Sequence, residues 1–376
     1  MHRHRRWVPR RSAFSAALAL AVVATLLGGC GGFRDIDKRF LVVAVGVDAP
    51  EKEGHKYKVT VKLAIPHEKL QMGKSQSIVR IEEANSITEA IRQIQAKVDK
   101  ELDFAHVRLV VIGRPLVERE KIAPMLDWFL RRRDISMITW VATGQPDALS
   151  VLKMEPSYER LPGNAFFMAL GQRGGESEYL VSAELFDAYR RQREIGMDPI
   201  MPIIEVLSKD EFRINTSIVL SGGRFAAALN PQETRLYNIV SGQAQQLDIT
   251  VDETPHRFQM LSQQLNVDYS IHTPETGRPY MKMNVRITGV VEETEQLRVE
   301  SLGAYEKMTE RAAERRIRAF LRVLQEKRID PVGFGLRYRS NQWGRKPTAE
   351  EWERIYADLE FRVAVNVDLY GKGVLK

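Results

Sequence analysis

The chain has 376 residues, 44% of them hydrophobic and 28% charged, with a formal net charge of +7 and a single cysteine. One cysteine excludes an intramolecular disulfide and a cysteine-based zinc site. The positive charge sits at the start: residues 1–29 hold five arginines and no acid, so the rest carries 51 basic against 49 acidic residues and basicity supports no nucleic-acid reading.

The N-terminus is basic and then apolar. Arg3, Arg5, Arg6, Arg10 and Arg11 precede the run Ala13 to Leu27, and Leu27-Gly28-Gly29-Cys30 follows in the order of a lipobox. The run is about 15 residues, short of the roughly 20 a spanning helix needs, and it ends in small residues a signal peptidase accommodates. Arg10-Arg11 is ordinary charge of the leader, because Phe14 falls one place late for a twin-arginine signal. Cleavage before Cys30 would leave a thiol for diacylglycerol, and acyl chains contribute about 0.8 kcal/mol per buried CH₂, so the protein is expected to be tethered on the extracytoplasmic face of a membrane. No later stretch is long and apolar enough to cross a bilayer. Roughly 340 residues after the leader exceed one ordinary core, so two or three domains are expected.

From Phe40 the elements alternate. Phe40 to Val47 is a continuous apolar run, a buried strand; Lys56 to Ile65 alternates as a half-buried strand does, and Ile78 to Ile81 adds a short one. Ser86 to Val98 has helical spacing with Ser86 as N-cap and Glu89 three residues on. His106 to Ile112 is a strand, Ile122 to Leu130 a helix, and Met137 to Ala142 a strand, together one sheet with helices laid on it. The glycine- and proline-rich stretch Pro156 to Gly175 is expected as loop, although Phe166-Phe167-Met168 within it needs cover. Val181 to Arg193 is helical up to Gly196, and Pro199 and Pro202 break the chain. In the second half, Thr216 to Leu220 and Arg224 to Leu229 flank the turn Ser221-Gly222-Gly223. Residues 246–251, 257–269 and Lys282 to Val291 are strands. Ser301 to Gln325 is a long helix whose stripe includes Leu302, Tyr305, Met308, Ala312, Ile317, Phe320, Leu321 and Leu324. Its opposite side, with Glu310, Arg311, Glu314 and Arg315, has the mixed signs of a solvated face. Past Asp330-Pro331 and Gly333-Phe334-Gly335 come a short helix with Trp352 and Tyr356 and the alternating strand Leu359 to Leu369. The fold class is α+β and multi-domain: mixed sheets with packed helices, and a strand-rich C-terminal half with one long helix. The expected division is a lipoprotein signal peptide 1–29, a lipid-anchored tether 30–39, an N-terminal α+β region 40–205 open to a split into two subdomains, and a C-terminal α+β domain 213–376.

Enzyme chemistry finds no footing. His2 and His4 lie in the leader, and His55, His67, His106, His256 and His272 lack His-Glu-x-x-His spacing. Ser221-Gly222-Gly223 is not a nucleophile elbow. The glycines at 171–175 and 333–335 fit no phosphate or dinucleotide loop. Catalytic, cofactor-binding and metal residues: none. Cys30, for lipidation, is the one site residue. The loop around Phe166 and Phe167, the Gly333-Phe334-Gly335 turn and the Trp343 region could meet a partner, though packing on their own domain explains each as well.

These motifs, in order, carry a resemblance. Cys30; Gly46 and Asp48; Phe104-Ala105-His106-Val107-Arg108; Arg132-Arg133-Asp134; Leu185-Phe186-Asp187 with Pro199 and Pro202; the Gly222 to Leu229 hairpin with Glu233-Thr234; and Asp330 to Gly335 together resemble the Ger(x)C family of spore germination proteins, the lipoprotein C subunits of nutrient germinant receptors. The chain departs from the family pattern after Cys30, where Gly31 to Asp37 stands in place of a tryptophan and an acidic, arginine-containing run, and at Arg114, where the family tends to be acidic. The resemblance implies a three-domain α+β lipoprotein on the outer face of the spore inner membrane, assembled with two integral membrane receptor subunits of A and B type and held there by lipid on Cys30. Enzyme activity, a cofactor, nucleic acid and direct small-molecule binding are not expected of this subunit, and whether it touches the germinant is left open by the sequence. The alternative is an extracytoplasmic solute-binding lipoprotein of a transporter, which would need two similar lobes around a cleft; no repeat in the sequence suggests them.

Overall fold

The computed structural model describes residues 38–65, 77–156, 164–171, 177–244, 247–253, 256–294, 302–342, 344–345 and 347–370. The chain separates into Met1–Arg39 and the compact unit Phe40–Lys376, and the architecture below is that of the second. Cys30 and Trp343 lie outside the described residues. Among the described residues no helix is long and apolar enough to cross a membrane.

A nine-stranded mixed sheet forms the first layer. Its strands are β1 (Arg39–Asp48), β2 (Tyr57–Ala64), β3 (Ser77–Ala84), β4 (Glu101–Asp103), β5 (Leu109–Gly113), β6 (Trp140–Gln145), β7 (Ile200–Val206), β8 (Phe212–Ser221) and β9 (Arg224–Leu229), in the order β3-β2-β1-β5-β6-β7-β8-β9 with β4 on β1. β1, β5, β6 and β7 are parallel, which explains their unbroken apolar runs: helices cover both faces. The antiparallel strands flank them on either side.

The helices of this layer are α1 (Ile87–Gln95), α2 (Arg114–Arg119), α3 (Ala123–Arg131), α4 (Ala148–Lys153), α5 (Asn164–Gly171) and α6 (Leu185–Arg193). α1 starts as its sequence promises, with Ser86 Oγ accepting from Glu89 N at 3.1 Å and Glu89 Oε2 accepting from Asn85 N. α5 falls where loop is expected. Its segment NAFFMALG has no polar stripe to announce a helix, and its cover is the second face of the sheet, where Phe166 is 3% exposed and packs on Phe212 at 4.8 Å.

Pro202 lies inside β7, where the sequence predicts a break. β6 pairs with β7 only from Ile203 onward, so the amide that proline lacks is not needed on that side. The expected division at 205–213 falls between β7 and β8, which are neighbours in one sheet.

Asp48 ends β1 at the N-terminus of α4. Its Oδ1 accepts from Ala148 N at 2.7 Å and its Oδ2 from Leu149 N at 2.9 Å, satisfying amides that a helix start leaves without partners. Asp48 is 3% exposed, and burial raises its carboxyl pKa against the pull of those two amides. Asp48→Ala is expected to destabilise the protein by about 1–3 kcal/mol, the range for buried donors left unpaired. A melting temperature equal to that of the unaltered protein would refute the capping role.

The second layer is a four-stranded sheet, β10 (Leu247–Glu253), β11 (His256–His272), β12 (Tyr280–Thr294) and β13 (Glu360–Leu369), in that order. β10, β11 and β12 run antiparallel in succession, and β13 joins β12 in parallel. Packed with this layer are α7 (Pro231–Val240), α8 (Leu302–Glu326), α9 (Phe334–Ser340) and α10 (Ala349–Ala357). β13 alternates exposed and buried without exception, and α8 buries the expected stripe Tyr305, Met308, Ala312, Ile317, Phe320, Leu321 and Leu324. The mixed-charge side of α8 is not simply solvated: Glu306, Glu310 and Glu314 accept from Leu369 N, Val367 N and Val365 N of β13. The α+β class, with mixed sheets and one long helix over a strand-rich second half, is as expected.

A carboxylate-centred junction between the two layers

The motif residues of the second half converge where the segment after α6 meets the loop after α8. The loop turns at Ile329 and Asp330, and Asp330 organises it. Its Oδ1 accepts from Gly333 N at 2.8 Å and Phe334 N at 2.9 Å, and its Oδ2 from Gly335 N at 2.8 Å, which fixes the start of α9. Its own backbone is shared with Asp198, just before β7: Asp330 N donates to Asp198 Oδ2 at 2.7 Å, and Asp198 N donates to Asp330 O at 2.9 Å. The Ser221 hydroxyl of the β8–β9 turn donates to Asp198.

Two glycines make this approach possible. Gly196 has φ +82° and accepts from Leu336 N at 2.8 Å; a Cβ on it would stand 2.5 Å from the carbonyl carbon of Gly335. A Cβ on Gly335 would stand 2.4 Å from Trp352 Nε1. Trp352 is stacked between Tyr338 and Tyr356, with ring centroids 5.6 and 5.3 Å away, and Tyr356 donates its hydroxyl to Ile329 O at 3.0 Å. From α6, Asp187 holds Arg191 Nε at 2.6 Å while Arg191 Nη1 donates to Pro331 O at 2.8 Å. Arg191 also hydrogen-bonds Tyr237 of α7, a residue buried completely.

Burial pushes the Asp330 carboxyl up to about 7, opposed by its three amides, and raises Asp198 likewise. A pair of buried acids with raised pKa values is a common mark of catalysis. Here Asp330 Oδ1 and Oδ2 and Asp198 Oδ2 accept from backbone amides, so the pair works as a clasp between layers. Lys62 is another buried titratable group put to structural use: its Nζ donates to Met154 O at 2.7 Å, and burial holds its ammonium down to about 8.

The expected partner surfaces resolve unevenly. Phe166 and Phe334 are core residues, the latter edge-on to Tyr269 at 5.2 Å. Phe167 is half-buried, with the Arg108 guanidinium 5.2 Å over its ring. Arg132 lies 4.1 Å over Phe104 and pairs with Asp134, so two quoted motifs meet each other as packing. His106 is exposed, and among the described residues no three His, Cys, Asp or Glu side chains gather to hold a metal.

A cleft of about 530 Å³ lies between α7, α8 and β10, lined by apolar side chains such as Leu236, Ile239, Ile249 and Phe320 with Arg235 and Arg316 at its polar side. Arg235 Nε stands 2.8 Å from Glu178 Oε2, and Arg316 Nη2 donates to Thr250 O at 2.8 Å. Burial and then the Arg235 charge hold Arg316 below its ordinary value. Both cations thus have internal partners. The sheets of the two layers differ in strand number and pairing, unlike the paired lobes of a solute-binding protein.

The sequence reading assigns no helix to α7. The signal was present, since Asn230 and Glu233 close a reciprocal capping box around Pro231 at the first turn.

Comparison with known proteins agrees with the quoted motifs. Residues 32–206 match the family model for the spore germination protein N-terminal domain, and residues 215–373 match that for spore germination B3/GerAC like, C-terminal. Spore germination protein KC of Bacillus subtilis (strain 168) is 22% identical over 395 residues, covering 96% of this chain and 95% of its own length. Spore germination protein B3 of the same organism is 20% identical over 364 residues, covering 93% and 95%. The crystal structure of the GerBC protein superposes with a TM-score of 0.58 at 16% identity, covering 88% of this chain and 98% of that one, a likeness of fold. With both family models in register along nearly the whole length, the chain belongs to the Ger(x)C family of spore germination proteins.

Proposed function

We propose that this protein is a lipid-anchored, non-enzymatic subunit of a nutrient germinant receptor, held by diacylated Cys30 on the outer face of the spore inner membrane and assembled there with two integral membrane subunits of A and B type. Residues 1–29 are its signal peptide, 30–39 its tether, and 40–205 and 213–376 its two α+β regions. The observation that carries the reading is the Leu27-Gly28-Gly29-Cys30 lipobox joined to a chain that matches the germination family from residue 32 to residue 373. The clasp supports an assembly role, since it locks two unlike layers into one body.

The test is affinity purification of the lipidated protein from spore inner membranes, with mass spectrometry of what accompanies it. Two multi-spanning membrane proteins are expected; a transport permease with an ATPase would replace this reading by that of a solute-binding lipoprotein. Cys30→Ala is expected to abolish lipid labelling and deplete the protein from membranes. Undiminished labelling and retention in that variant would remove the anchor from the proposal.

A further inference from the structure

The parallel strands of the first sheet give it two distinct ends. At one end stand the starts of β1, β5 and β6, in register through Ala44, Leu109 and Trp140. β1 extends five residues beyond that level, and Phe40, the first residue of the compact unit, is therefore the point where the chain enters at this end.

The same end carries apolar side chains left in solvent. Met137 and Ile138, just before β6, are 57% and 64% exposed, and Phe186, at the start of α6, is 50% exposed. They form one group, because Phe186 N donates to Met137 O at 3.0 Å and Leu185 N to Thr139 O at 2.8 Å. Folding does not require their exposure: Ile135 and Trp140, two residues to either side, are 6% and 7% exposed. Met168, next to the Phe167 on which Arg108 lies, is 55% exposed.

Basic side chains surround the group. Arg131, the last residue of α3 and 4.0 Å from Asp127 Oδ2, and Arg133 lead into the Met137 loop, Arg108 precedes β5, and Lys100 Nζ lies 5.6 Å over the ring of Phe40. The nearby acids Asp134 and Asp187 are engaged by Arg132 and by Arg190 and Arg191. Apolar side chains ringed by arginine and lysine are the composition of surfaces that sit at an anionic bilayer interface.

We propose that this end of the sheet docks on an anionic lipid surface, with Met137, Ile138 and Phe186 entering the headgroup boundary and Arg108, Arg131 and Arg133 meeting the phosphates. The inference rests on the lipid anchor proposed above. Phe40 stands ten positions after Cys30, and an extended chain of that length reaches at most about 35 Å. The tether joins the compact unit at this end, so an anchored protein holds this end within that distance of its attachment point. Docking would set the orientation in which the rest of the molecule faces its neighbours.

The experiment uses the full-length lipidated protein in vesicles of phosphatidylglycerol and phosphatidylethanolamine, with an environment-sensitive dye on Ile138→Cys or, as an independent site, Met137→Cys. The control is Lys209→Cys, exposed past the far end of β7. Shallow spin-labelled lipids are expected to quench the dye at 138 and 137 several-fold more than at 209, and Arg131→Glu with Arg133→Glu to reduce that difference. Vesicle-bound protein with equal quenching at both ends overturns the docking while leaving the anchor intact, and would assign the apolar group to a protein partner. Protein that does not float with the vesicles overturns the anchor and the docking with it.

Discussion

Asp330→Ala is expected to lower stability by about 3 kcal/mol or more. Asp330 takes the amides of Gly333, Phe334 and Gly335, all in a buried loop, and alanine would leave three donors without acceptors at about 1–3 kcal/mol each. The loss would not stay local, because the same residue's backbone is exchanged with Asp198 and the loop carries the Pro331 carbonyl to Arg191. The layers should loosen together, and limited proteolysis between Pro199 and Pro331 should accelerate.

The same carboxyl makes a pH prediction. Its folded pKa is pushed up to about 7 by burial, above the ordinary value of about 3.9. The folded state then binds the proton more tightly than the unfolded chain, so this group's contribution to stability is greatest below about pH 4, declines as pH rises from about 4 to about 7, and is level above that. Asp330→Asn cannot titrate and replaces one acceptor oxygen by a donor facing the Gly335 amide, so it is less stable throughout. Its deficit relative to the unaltered protein should narrow between pH 4.5 and pH 7.5. Urea midpoints for both proteins at several pH values decide it: curves that run parallel across this window would contradict a raised Asp330.

What the sequence shows in advance depends on how local the cause is. β13 and the buried stripe of α8 are legible because a single buried face imposes a period on the residues themselves, whereas β2, which alternates like a half-buried strand in sequence, is buried on both faces, with Lys62 held to Met154 O. α5 is not, because its exposed positions carry Met168 and Gly171 where a polar stripe would mark the period. β7 is hidden by two prolines, and only the register with β6 shows why Pro202 does no harm. α7 was legible through its capping box. The lipobox is wholly local, so Cys30 can be read without any fold. The clasp is the opposite case: Asp198 and Asp330 are 132 residues apart, and nothing short of the folded chain brings them together. The motifs around Asp187, Pro199 and Asp330 gave the family in sequence; their shared physical role emerged only when they met.

The carboxylates on α8 carry the second large prediction. α8 follows β12 and returns antiparallel to β13, so it passes along one of the two edge strands of the second sheet, β10 being the other, on a side where no strand lies beside β13 among the described residues. Four residues of helix advance about 6 Å and two residues of strand about 6.6 Å. Glu306, Glu310 and Glu314 therefore keep step with Leu369, Val367 and Val365, accepting at 3.0, 3.1 and 3.2 Å. The row satisfies the outward amides of β13 and occupies the edge that another chain could extend. Replacing all three with alanine should cost about 3 kcal/mol, near 1 per hydrogen bond, and should bring concentration-dependent self-association through β13. Glutamine at the three positions keeps an acceptor oxygen in each place, so that variant should melt within a few degrees of the unaltered protein and show no new association. Light scattering over a concentration series, with thermal melting of all three proteins, separates the possibilities. An alanine variant that neither associates nor loses stability would show these glutamates to be the solvated face that their spacing suggests in sequence.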